Sequence, residues 1–115
     1  MKRSLFVLLA VVLLSTPLWT GYKNIFDSRD YTAILKEIKP LAQKGDAKAQ
    51  DILGYLYANG YGVEKDYVQA YMWWYVSASQ GDQNAEKNRD MLAAKMRIAQ
   101  IMKARTLAGL WRPKK

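Results

Sequence analysis

The chain has 115 residues, of which 50% are hydrophobic and 24% charged, a composition typical of one small globular domain rather than of a disordered segment. It contains no histidine and no cysteine, which excludes disulfides, zinc and iron–sulfur sites and every nucleophilic mechanism built on those two residues. Only ten carboxylates remain for acid–base chemistry, so we expect no enzyme activity, no cofactor and no metal.

The first segment, residues 1–21, has the pattern of an export signal. Lys2 and Arg3 precede an unbroken apolar run from Leu5 to Leu14, and turn-forming polar residues follow. Cleavage at the end of this segment would leave a bulky residue where a small one is preferred, so a retained signal anchor stays open beside a cleaved signal peptide. A buried N-terminal helix is the third alternative. The first two place the folded part outside the cytoplasm, after a linker at residues 22–29.

The rest of the chain matches itself at an offset of 36 residues. Asp30-Tyr31 recurs as Asp66-Tyr67, and Gly45-Asp46 recurs as Gly81-Asp82. Aspartate is a good N-cap, and glycine permits the left-handed conformation that ends a helix. An internal match of this kind predicts a repeat protein built from helix pairs.

These signals and the helical spacing of apolar residues predict about five helices and no strand. The predicted helices cover residues 31–44, 47–58, 67–79, 83–95 and 98–110, and a tight loop with two glycines joins the second to the third. Pro40 lies inside the first helix and predicts a bend or a local break there. We therefore expect an all-α domain of antiparallel helix pairs.

Residues 47–82 resemble the Sel-one-like (Sel1-like) repeat family, a relative of the tetratricopeptide repeat. The matching string is A-x-A-Q-x-x-L-G-x-x-Y-x-x-G-x-G-V-x-x-D-Y-x-x-A, followed by W-W, S-A and Q-G-D. The resemblance implies a short αα-hairpin solenoid over residues 30–111, closed by a C-terminal capping helix, with residues 112–115 as a basic tail. The repeat-structural positions that it implies are Gly54, Gly60, Gly62, Asp66, Tyr67, Ala70, Trp73, Trp74, Ala78 and Gly81.

The sequence departs from the family pattern at two places. Ser77 stands where the family's repeats usually carry alanine, which is a mild change. Arg97 and Ile98 follow Met96 where similar exported members open their last helix with threonine and proline. Because that cap and proline are missing, the break before the final helix is weakened, and helices four and five can run on more continuously than in relatives.

Aromatic residues concentrate in and before the third helix, which is apolar nearly all round. Its core face contains Tyr67, Trp73 and Trp74. A second stripe is predicted to line the concave surface of the array and to bind a partner, with burial in the core as the alternative. This predicted partner-binding stripe consists of Tyr71, Met72, Tyr75 and Val76.

The basic character of the chain is concentrated at its C-terminal end. Of a net charge of +8, residues 87–115 contribute nine basic side chains against one acid. Such a block attracts anionic partners, although a solvated helix face is the alternative. The predicted contacts are Lys95, Arg97, Lys103 and Arg105. We expect no nucleic-acid binding, because no nucleic-acid module appears and export removes the protein from most nucleic acid.

The resemblance implies an adaptor or regulator that acts by binding another protein. The signal pattern of residues 1–21 predicts that it is periplasmic or associated with the envelope, and anchored in the inner membrane if the signal is retained. The alternative is a membrane-surface accessory protein, held by an N-terminal anchor and pressed to anionic headgroups by residues 87–115. An enzyme would need a pair of carboxylates in a cleft. The three glutamates, Glu37, Glu64 and Glu86, are predicted to lie in a turn and on polar helix faces, so we expect no catalysis.

Overall fold

The computed structural model describes residues 31–115, and this part of the chain is all-helical, with no strand. The predicted fold class and the positions of the helices are confirmed over this range, with ends that differ from prediction by at most two residues. The predicted cap at Asp30, the signal or anchor at 1–21 and the linker at 22–29 lie outside the described residues. The helices are α1 (Tyr31–Lys44), α2 (Ala47–Asn59), α3 (Tyr67–Ser79), α4 (Gln83–Ala93) and α5 (Ile98–Leu110).

Aspartate caps the helices that follow the repeat signals, as predicted. Asp46 accepts a hydrogen bond from the backbone N–H of Ala49 at 2.8 Å, and Asp82 accepts one from Ala85 at 2.9 Å. The glycine before each aspartate has a positive φ, +112° at position 45 and +98° at position 81. The 36-residue match thus corresponds to the same physical device used twice, a left-handed glycine that ends one helix and a carboxylate that begins the next.

Pro40 does not break α1, which is continuous from Tyr31 to Lys44. Proline removes the donor that would have satisfied the carbonyl of residue 36 one turn earlier. Both Lys36 and Pro40 are exposed, so water can solvate that carbonyl and the helix continues. The predicted local break is therefore wrong.

A central helix, α3, organises the packing: it contacts α2, α4 and α5, while α1 packs on α2. Two apolar clusters result. One joins α3 to α4 and α5 and contains Ala70, Tyr71, Trp74, Ala85, Leu92 and Ala104. The other joins α1 and α2 to α3 and contains Ala42, Ala49, Leu53, Met72 and Trp73.

A turn at residues 94–97 separates α4 from α5. Arg97 is extended, with φ −76° and ψ 151°, and its backbone N–H donates to the side-chain oxygen of Gln100 at 3.0 Å. Gln100 thus satisfies a free N–H at the start of α5, the end that lacks a threonine cap. The two helices are separate, as their predicted bounds at residues 95 and 98 indicate, and this local hydrogen bond stabilises the break between them. That they run on more continuously than in relatives stays a prediction.

Buried polar side chains tie the first three helices together. Gln50 is fully buried; its amide N–H donates to the carbonyl of Ala42 at 3.0 Å, and its oxygen accepts from Gln80 at 2.6 Å. Ser77, also fully buried, donates to the carbonyl of Ala47 at 2.7 Å. The serine that departs from the family pattern therefore makes a hydrogen bond between α3 and α2 that alanine cannot make.

The C-terminal residues return to the other end of the array. The ring of Trp111 meets that of Trp73 edge to face with centroids 6.0 Å apart, and the backbone N–H of Lys114 donates to the carbonyl of Gln43 at 2.8 Å. The predicted basic tail is thus attached to the last turn of α1. Within residues 31–115, no helix has the length and apolar character needed to cross a bilayer.

Candidate functional site

The predicted partner-binding stripe is not an exposed surface. Tyr71, Met72 and Val76 retain only 2%, 6% and 5% of their accessible area, and Tyr75 is half-buried. Helix α5 lies on α3 and, together with α2 and α4, encloses this side of the helix; Ala104, fully buried, permits the close approach. The prediction of exposure is wrong, because an apolar stripe shows that a face must be covered but not that a foreign partner covers it.

The two predicted sites meet at the edge of this interface. The guanidinium of Arg105 donates from Nε to the hydroxyl of Tyr71 at 3.3 Å, and this hydrogen bond raises the pKa of Arg105. The Tyr71 and Tyr75 rings stack with centroids 6.3 Å apart, and the guanidinium of Arg89 lies 5.5 Å from the ring of Tyr75. Arg105 is thus partly engaged within the fold, as a support for the α3–α5 contact.

The side chains of the other predicted anion-contacting residues are exposed to solvent. Lys95, Arg97 and Lys103 are exposed, and none of them forms an ion pair with a residue of the described range. Lys95 and Arg97 lie in the α4–α5 turn and Lys103 lies on α5, so the three do not converge on one point. Their arrangement fits contact with an extended anionic surface better than a pocket for one small anion.

The three glutamates do not converge either. Glu37 lies on α1, Glu64 in the α2–α3 turn and Glu86 in the first turn of α4, and all three are exposed. Acid–base catalysis by a carboxylate pair needs two such groups across one cleft. These three glutamates offer no such pair.

A groove between α2 and α4, which sequence reasoning did not find, is one concave feature of the described region. Its volume is about 260 Å³. Tyr55, Ala58 and Asn59 form its α2 wall, and Tyr67 and Trp74 of α3 form its floor. Asn88, Met91 and Leu92 of α4, with Lys95 of the following turn, form the opposite wall. This volume lies below the roughly 300–1,000 Å³ of small-molecule sites, so the groove is sized for one or two side chains of a docked segment.

The floor of the groove depends on one glycine. The indole of Trp74 lies directly on Gly54 of α2, where an added Cβ would come within 2.6 Å of Nε1. The same Nε1 donates to the carbonyl of Asp51 at 2.9 Å. Gly54 and this hydrogen bond together fix the indole plane beneath the groove. The family-implied structural roles of Gly54 and Trp74 therefore have a direct consequence for the shape of the surface.

The rim of the groove is apolar and exposed. Tyr55 retains 48% of its accessible area and Met91 72%. Asn88 of α4 and Lys95 of the following turn bring an amide and an ammonium group to the wall opposite α2, and no carboxylate lines the groove. Asp51, the nearest acid on α2, lies one turn before Tyr55, and its carboxylate accepts a 2.9 Å hydrogen bond from the side-chain amide of Asn84. The groove can thus hold an apolar side chain and offer donors to an anionic or carbonyl oxygen beside it.

The 36-residue offset between the repeats contains a sequence pattern that indicates this groove. Tyr55 and Met91 are 36 residues apart, as are Asn59 and Lys95, so each pair occupies equivalent positions of successive repeats. Equivalent positions of stacked repeats line a common surface. A comparison of large apolar residues at equivalent positions, rather than of residues along one helix, points to α2 and α4.

Comparison with known families gives one result. Residues 47–82 match the family model of the Sel1 repeat. The matched segment spans α2, the turn, α3 and the Gly81-Asp82 signal, which confirms the resemblance inferred from the sequence over this range. A search of curated proteins found no match.

Proposed function

We propose that this chain, which carries a Sel1 repeat at residues 47–82, is a non-catalytic module that binds another protein through the groove between α2 and α4. Sel1 repeats generally mediate protein–protein interaction, and the family is typically non-catalytic. The signal pattern of residues 1–21 supports export, and thus an adaptor or regulator that acts in the periplasm or at the envelope.

The observation that carries the proposal is the exposure of Tyr55 and Met91 above a tryptophan floor. These two large side chains keep 48% and 72% of their area in solvent at equivalent repeat positions. Tyrosine and methionine are enriched at the centres of protein interfaces, where burial of an aromatic or apolar anchor supplies most of the binding energy. Their placement on either wall supports a single partner segment that contacts both helices.

The chemistry of the groove defines the kind of segment. The floor takes an apolar side chain, and the volume of about 260 Å³ admits no more than one or two. Lys95 and the amide of Asn88 favour a carboxylate or a carbonyl beside that side chain. We therefore propose an extended or helical segment with an apolar anchor and a neighbouring acidic residue.

The test is crosslinking capture from envelope extract with the full chain as bait, followed by affinity measurement with the purified partner. The groove variant is Tyr55→Ala with Met91→Ala. The control is Ile98→Ala with Met102→Ala, which removes apolar side chains of similar exposure from α5. We expect the control to bind as the wild type does, and the groove variant to bind at least about tenfold more weakly, as for loss of interface anchors.

Two outcomes contradict the proposal. One is a captured protein that binds the folded groove variant with unchanged affinity. The other is a protein lost from the control variant but retained by the groove variant, which would move the site to α5. Circular dichroism spectra of all variants must match the wild type, because only then does lost capture report on the surface.

A further inference from the structure

The outer face of α5 is apolar where the end of a repeat array is normally polar. Ile98, Met102 and Leu110 retain 77%, 63% and 72% of their accessible area, and we call these three residues the apolar stripe. Terminal repeats need a polar outer face to remain soluble, because no further repeat covers them. The apolar stripe is therefore a feature that packing within residues 31–115 does not explain.

Helical geometry places the apolar stripe between two cations. With about 100° between successive residues, all three members lie within about 60° of the direction opposite Ala104, which is buried against α3. Lys103 and Arg105 lie about 80° from that direction, one on each side. Both are exposed. Thr106 lies about 20° from the same direction, and its hydroxyl donates to the carbonyl of Met102 at 2.9 Å. The face thus has a mainly apolar centre and a basic edge on either flank.

The charge around the stripe determines what can cover it. Residues 91–115 carry seven basic side chains and no acidic one. A second copy of this face would bring two such blocks together, which like-charge repulsion opposes. Residues 1–21 carry two basic and no acidic side chains, so they offer no complementary charge either. Charge complementarity therefore favours an anionic occupant.

We propose that the outer face of α5 binds an anionic lipid surface. A single helix face is convex, and an apolar stripe on it can sink into the headgroup layer without a matching groove on the other side. Cations on both flanks then lie at the depth of the lipid phosphates, where long basic side chains extend toward the headgroups. This contact is independent of the groove between α2 and α4, which lies on other helices.

The test is sedimentation of the full chain with vesicles of phosphatidylcholine, with and without phosphatidylglycerol. The stripe variant is Ile98→Gln with Met102→Gln, and its control is Met91→Gln, which replaces an equally exposed apolar residue on α4. We expect the stripe variant to lose about tenfold or more in partition onto anionic vesicles and the control to change less than about twofold. All proteins carry the same N-terminal segment, so the difference between them reports on α5.

The charge requirement has its own matched pair. Arg97→Gln with Lys103→Gln removes the cation that precedes Ile98 and one flanking cation, and it leaves Arg105 in its hydrogen bond to Tyr71. Lys36→Gln with Lys39→Gln removes two exposed cations from α1. Each cation near an anionic surface contributes about fivefold to partition. We therefore expect the first pair to lose roughly 20-fold and the second less than about threefold, with binding that weakens steeply as salt rises.

A fluorescent label locates the contact directly. The chain has no cysteine, so Met102→Cys and Met91→Cys each provide one position for a polarity-sensitive probe. We expect a blue shift on anionic vesicles at position 102 and none at 91. Equal shifts at both positions, or unchanged partition of a stripe variant with wild-type circular dichroism, would overturn the proposal. So would loss of an acidic protein partner by the stripe variant with vesicle binding intact, which would assign the face to a protein.

Discussion

Replacing Gly54 by alanine tests the packing that forms the floor of the groove. A Cβ at this position would lie 2.6 Å from Nε1 and 2.7 Å from Cδ1 of Trp74, both atoms of a rigid buried ring. Carbon atoms in van der Waals contact are about 3.5–4.0 Å apart, so the indole must move by about 1 Å. That movement disturbs the 2.9 Å hydrogen bond from Nε1 to the carbonyl of Asp51.

Three effects set the magnitude for Gly54→Ala. Alanine is favoured over glycine inside a helix by about 1 kcal/mol. Overpacking of a filled core costs about 1–3 kcal/mol, and loss of the indole hydrogen bond costs about 1 kcal/mol. The net expectation is a destabilisation of about 1–3 kcal/mol. For a domain of this size that lowers Tm by roughly 5–15 °C.

The assay is urea and thermal unfolding followed by far-UV circular dichroism, with Gly109→Ala as the matched control. Gly109 is also helical, yet an added Cβ there meets no atom within 4 Å. Its replacement should leave stability unchanged or raise it by up to about 1 kcal/mol. A Gly54→Ala protein as stable as the wild type would refute the packing of Trp74 on α2 described above.

Three further predictions concern the core and its ionisation. Ser77→Ala should lower the free energy of unfolding by about 1 kcal/mol, because a buried hydrogen bond between two helices is lost. Ser79 is exposed and bonds within its own helix, so Ser79→Ala should change the free energy of unfolding by less than about 0.5 kcal/mol. Burial and the nearby carboxylate of Asp66 raise the pKa of Tyr57 above 10.0, so the folded state keeps the phenol proton to higher pH than the unfolded chain does. Tm should therefore fall as pH rises above about 10. Tyr57→Phe should lessen that fall between about pH 9 and about pH 11. Tyr71→Ala should destabilise the fold by about 3–5 kcal/mol in urea unfolding and Tyr55→Ala by under about 1 kcal/mol, since their exposures are 2% and 48%; equal losses would contradict this burial pattern.

Local sequence signals account well for the helix ends. Asp46, Asp66 and Asp82 each accept a hydrogen bond from the backbone three residues later, and Gly45 and Gly81 each have a positive φ. Capping and left-handed glycine act over three or four residues, so the sequence alone suffices to predict them. The pattern also predicts a break between residues 95 and 98, but it does not show the cap there, which comes from Gln100, three residues inside the helix rather than before it.

The candidate surfaces were harder to predict than the helices. Apolar residues on nearly all sides of α3 indicate that every side of this helix must be buried, and the pattern predicts a partner site at the stripe containing Tyr71. In the folded chain α5 helps to bury that stripe, and the exposed large apolar residues lie instead on α1, α2, α4 and the outer side of α5.

The sequence by itself determined the helical repeat, its caps and turns and the basic C-terminal block, because each of these depends on neighbours within a few residues or on simple charge. Only the tertiary structure decided which face meets which. The direction that α5 takes after the turn at residues 94–97 places Ala104 against α3. The same choice leaves Ile98 and Met102 in solvent. The spacing of α2 and α4 over Trp74 opens the groove. These outcomes depend on how helices that are far apart in the sequence orient against one another. An apolar pattern shows that a helix face must be buried, but it does not show which helix covers that face.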